Sequence, residues 1–62
     1  MRLVALTRVI GEMRIKVSIN PDYVVWVQPC RQGTTLYMEA GPDIEVVESY
    51  DAVVKVLQGD DA

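Results

Sequence analysis

Met13-Arg14-Ile15-Lys16-Val17-Ser18-Ile19 is the stretch on which the architecture turns. Met13, Ile15, Val17 and Ile19 alternate with Arg14, Lys16 and Ser18, and this period of two gives a strand one buried face and one wet face. On its N-terminal side, Leu3 to Val9 reads as a partner strand, joined through the short glycine-bearing turn Ile10-Gly11-Glu12. On its C-terminal side comes Asn20-Pro21-Asp22, a turn signal in which proline fixes φ and the flanking side chains bond their own backbone. Tyr23-Val24-Val25-Trp26-Val27-Gln28 follows and is apolar on both faces, with Trp26 opposite Tyr23, Val25 and Val27. Such a strand is either central in its sheet or covered on its second face by another chain.

Working outward, Pro29 to Gly33 reads as a loop. Thr34 to Ala40 alternates again, with Leu36, Met38 and Ala40 on one side and Thr35, Tyr37 and Glu39 on the other. Gly41-Pro42-Asp43 turns the chain into a short strand over Ile44 to Glu48. Ser49 then stands as an N-cap, with Asp51 in the first turn, where the helix dipole favours an acid. Tyr50, Val53, Val54 and Leu57 fall at helical spacing, and Gly59 is the stop. A helix this short is unstable alone and must dock on the sheet or on a neighbouring subunit. The predicted fold is mainly β, a β-rich α+β domain over residues 1–59. About five short antiparallel strands form a small sheet or open barrel, followed by one short C-terminal helix. Residues 60–62 are expected to be a frayed acidic tail.

Composition supports strands. Among 62 residues there are eleven Val and four Ile, no Phe and one Trp, and branching at Cβ suits a pleated surface. A chain of this length buries roughly 60% of the surface its unfolded form exposes. Ordering costs roughly 1.5 kcal/mol per residue, so burial and entropy come out near balance. One cysteine and no histidine exclude an internal disulfide and make a structural zinc site improbable. Self-association is the staple that remains. Half the residues are hydrophobic and 24% are charged, a globular balance. No apolar run approaches the roughly 20 residues of a membrane helix, so no membrane insertion is expected. No signal peptide is visible, and Cys30 as a lone thiol fits a reducing compartment, so the expected location is cytoplasmic.

Net charge is −3 and unevenly spread. Residues 1–31 carry five basic groups against Glu12 and Asp22, whereas residues 32–62 carry Lys55 against seven acids. Arg8, Arg14, Lys16 and Arg31 therefore form a candidate basic patch for an anionic partner or for another subunit's acidic half.

Nothing in the sequence supports catalysis. There is no histidine to act as general base. Ser18 lies mid-strand, Ser49 is committed to a cap, and each glycine punctuates a turn. Asp43, Glu45 and Glu48 read as a solvated acidic face and Cys30 as a packing residue, so no catalytic residue, metal or cofactor is expected. Two features remain. Val24, Trp26, Met38, Tyr50, Val54 and Leu57 are candidate oligomer contacts, since aromatics are enriched at interfaces. Arg14 and Lys16, joined by Arg8 across the first hairpin and by Arg31 and Trp26, are candidates for holding RNA or a small nucleotide through charge and stacking.

The order of elements resembles the FlbD/SwrD family of small flagellar and swarming-motility proteins. The residues carrying the likeness are Leu6-Thr7-Arg8 with Gly11, Ile19-Asn20-Pro21-Asp22, Thr34-Thr35-Leu36, Gly41, and Val47-Glu48-Ser49 leading to Val53 and Val54. The chain departs from that pattern at Ile10, where the family has Asn, and at Pro29-Cys30-Arg31-Gln32-Gly33. The resemblance implies a non-enzymatic accessory protein of bacterial or phage origin with no catalytic residues. Leu6-Thr7-Arg8 with Gly11-Glu12 is also similar to the start of CsrA, a dimeric RNA-binding β-protein, in which a first-strand arginine and basic residues before the C-terminal helix grip RNA. Arg8 matches the first of these. Glu45-Val46-Val47-Glu48 occupies the second region and carries carboxylates that repel phosphate. The expected function is a small homo-oligomeric binding or scaffolding module, with a protein partner; the alternative is a protein that binds RNA or a small anionic ligand.

Overall fold

A computed structural model describes residues 2–59, so the expected tail at 60–62 lies outside the described residues. β1 (Val4–Ile10) and β2 (Met13–Ile19) form a hairpin in unbroken register from Val4 opposite Ile19 to Ile10 opposite Met13. Its two-residue turn begins at Gly11, whose φ of +59° suits a tight hairpin connection. Asn20 then caps a 3₁₀ turn over Pro21–Tyr23, its side-chain oxygen accepting from the Asp22 N–H at 2.9 Å.

β3 (Val24–Cys30) and β4 (Gly33–Met38) form the second hairpin. Here the structure departs from expectation. The strand begins one residue late, because Tyr23 belongs to the 3₁₀ turn, and it runs on through Pro29 and Cys30, so the expected loop shrinks to Arg31-Gln32. Proline is accommodated because β3 is an edge strand, where one side of the backbone has no ladder to break. Between Val24 and Trp26 the register slips: Val24 lies opposite Met38 and Trp26 opposite Tyr37, leaving Val25 as the extra residue of a bulge. Val24 and Val27 consequently share one face, and Trp26 takes the other.

β5 (Ile44–Val46) is shorter than expected and joins the hairpins into one open sheet of order β2-β1-β5-β4-β3, every neighbouring pair antiparallel. Val46 lies opposite both Arg8 and Thr34. The ladder outlasts the strand: Val47 N–H donates to the Thr7 carbonyl at 3.0 Å, and Thr7 N–H donates to Glu48 Oε1 at 3.0 Å, so a side chain replaces the next strand carbonyl. The Glu48 carbonyl in turn accepts from the hydroxyl of fully buried Thr34 at 2.8 Å. Gly33 is obligatory at this crossing, because a Cβ there would stand 2.2 Å from the Val46 carbonyl oxygen.

α1 (Tyr50–Gln58) starts where Ser49 Oγ accepts from the Ala52 N–H at 3.2 Å. It stops at Gly59, which adopts the left-handed conformation with φ 92°. The Arg2 guanidinium donates to the Val56 and Leu57 carbonyls, adding a cation at the negative end of the helix. Val53 is buried against Val4, Leu6, Ile19, Leu36 and Val46, so the helix covers one face of the sheet. Among the described residues, no helix is long and apolar enough to cross a membrane.

Candidate functional site

Placing β3 at an edge rules out the central position that its two apolar faces allowed. It also leaves large apolar side chains in solvent. Val25 is 62% exposed and Trp26 51% exposed, and Tyr23 beside them is exposed as well. Trp26 is held by Tyr37 across the hairpin, the rings stacked with centroids 3.9 Å apart and planes within 9°. Stacking against a neighbouring strand fixes the indole in one orientation without burying it.

Two depressions flank this edge. One, of about 240 Å³, lies between β3 and α1 and brings together Val24, Trp26, Val54 and Leu57, four of the expected oligomer contacts, with Pro21 at one end. Val24 and Leu57 are half-buried and also pack on the core, so they shape the groove floor. The other, of about 350 Å³, is lined by Tyr23, Met38, Glu39 and Ala40 and accounts for Met38. Its wall is fixed by a backbone hydrogen bond of 2.7 Å from Glu39 N–H to the Tyr23 carbonyl. Tyr50 is exposed at the first turn of α1 and lines neither depression.

The basic candidates are not gathered into one patch. Arg14 and Lys16 are exposed on the face of the sheet opposite the helix, and the register puts Trp26 and Tyr37 on that same face. Arg8 does not join them. It stands opposite Ile15 and Val46, hence on the helix side, half-buried. Residues paired across two strands share a face, so the arginine opposite an apolar partner belongs to the apolar side. Arg31 is exposed in the β3–β4 turn. Its neighbour Gln32 joins Val9, Gly11, Glu12 and Arg14 around a third depression of about 360 Å³.

Among the described residues, no three His, Cys, Asp or Glu side chains converge as metal ligands do, and every buried side-chain polar atom has a hydrogen-bond partner. Tyr23 and Tyr37, the aromatics that the sequence sets in the same strand region as Trp26, join the site. Val25 joins it without a sequence signal, because nothing in Val24-Val25 marks which valine bulges. Compared with protein-family models, curated proteins and solved structures, the chain matches none.

Proposed function

We propose that this chain is a non-enzymatic binding or scaffolding module of the cytoplasm that works as a homo-oligomer, with the β3 edge as its contact surface. One observation carries the reading. Tyr23, Val25 and Trp26 stand exposed side by side on an open sheet edge, bordered by an apolar groove against α1. Exposed apolar side chains clustered in this way mark interaction surfaces, and a chain of 62 residues gains most from burying them in a second subunit. The resemblance to FlbD/SwrD supports the same accessory, non-catalytic role.

Sedimentation equilibrium tests it. The expected mass is a multiple of 6.9 kDa, and Val25→Lys is expected to return the chain to that monomer mass with an unchanged circular dichroism spectrum, since Val25 lies outside the core. A monomer at the highest soluble concentration of the unsubstituted chain overturns the reading.

A second reading, binding of RNA or a small nucleotide, draws on the shared face of Arg14, Lys16 and the Trp26–Tyr37 stack. Titrating Trp26 fluorescence with nucleotides and short RNA decides it. Salt-sensitive quenching supports this reading, and no change removes it.

A further inference from the structure

The sheet has two open edges, and they differ in kind. β2 forms one, and Met13 to Lys16 are exposed on both of its faces, Met13 to 61%. α1 packs over β1, β3 and β4, so Met13 and Ile15 lie on the helix side with little to cover them. This edge is apolar and basic, with Met13 and Ile15 on one face alternating along the strand with Arg14 and Lys16 on the other. β3 forms the other edge, apolar and acidic at its N-terminal end. Asp22 precedes exposed Tyr23 in the chain, and Glu39 is tied to Tyr23 by its backbone hydrogen bond. Glu39 lines a depression together with Tyr23 and Met38, and exposed Asp22 adjoins Tyr23 in the chain.

Each edge carries features that oppose pairing with its own kind. Two β2 edges bring Arg14 and Lys16 against the same residues, and like charges facing one another across strands are destabilising. Two β3 edges likewise bring Asp22 and Glu39 against the same carboxylates. Between unlike edges the charges attract, and apolar side chains meet apolar side chains.

We propose that the occupant of the β3 edge is the β2 edge of a second copy of this chain. Met13 and Ile15 cover the apolar side chains around Tyr23 and Met38, and Arg14 and Lys16 meet Asp22 and Glu39. This deepens the self-association reading and rests on it. A contact between unlike surfaces is heterologous, so it adds subunits head to tail until the set closes into a ring or runs on as a filament.

The experiment compares R14E/K16E, D22K/E39K and the quadruple combination with the unsubstituted chain, by sedimentation and light scattering at fixed concentration. All four positions are exposed, and circular dichroism checks that each variant folds. Each double variant is expected to raise the apparent dissociation constant at least tenfold, and the quadruple variant, with both edges reversed, to regain the original mass. If the unsubstituted chain is a monomer, the self-association reading fails and takes this one with it. If it assembles and the double variants assemble equally well, or the quadruple variant does not recover, the head-to-tail pairing fails and self-association stands.

Discussion

The two hairpins are built from the same kind of residues and come out differently. In β1–β2 every residue has a partner in one continuous register, and the two-residue turn is closed by Gly11 with open space around it. In β3–β4 the register slips at Val25, a proline sits within the strand, and the turn-side glycine is pressed against the backbone of Val46 and Val47. The first hairpin is regular because period-2 alternation and a tight turn suffice to define it. The second is shaped from outside, by β5 pairing along β4 and by the solvent along its free edge. Irregularity collects where a strand must reconcile neighbours distant in sequence, and the candidate contact surface lies there.

Gly33→Ala is the sharpest way to break this contrast. The added methyl meets backbone on a second strand, which has no rotamer to yield, so a loss of about 3 kcal/mol is expected in urea unfolding at fixed protein concentration. A loss below ~1 kcal/mol would show that β5 does not press on the second hairpin as described. Val46→Ala strikes both hairpins at once, because this fully buried residue lies opposite Arg8 on one side and Thr34 on the other. Its cost is expected at about 2 kcal/mol from lost burial and the cavity left behind. Hydrogen exchange is expected to rise in β4 as well as in β1, and a rise confined to one hairpin would contradict its bridging role. Gly11→Ala is the mildest: the new Cβ meets nothing within 4 Å, so only the positive φ is paid for, at about 1 kcal/mol. Were Gly11→Ala as costly as Gly33→Ala, the distinction between a conformational and a packing glycine would collapse.

Much of this was legible from residues in order along the chain. Met13 to Ile19 alternates and forms a strand with those bounds. Ser49 caps and Gly59 stops the helix, because both devices act within a few residues of themselves. The reading of Tyr23 to Gln28 kept its strand but lost its phase, since one bulged residue exchanges the faces of all that precede it, and adjacent valines carry no mark of it. Pro29 signals a loop in the sequence because proline opposes central strands, a rule whose exception depends on which strand becomes an edge. Charge alone groups Arg8 with Arg14 and Lys16, whereas its cross-strand partner Ile15 assigns it to the helix side.

For the candidate site the division is the same. Local pattern established that this chain makes short strands and one helix, that Tyr23 to Gln28 is apolar on both faces, and that the chain holds no histidine. Which strands became edges, and therefore which apolar side chains were left in water, followed from β5 inserting between two hairpins formed earlier in the chain. The physical reason is one of range. Alternation, capping and turn chemistry act between residues a few positions apart, while strand order and the close approach of Gly33 to Val46 depend on segments brought together only when the chain folds.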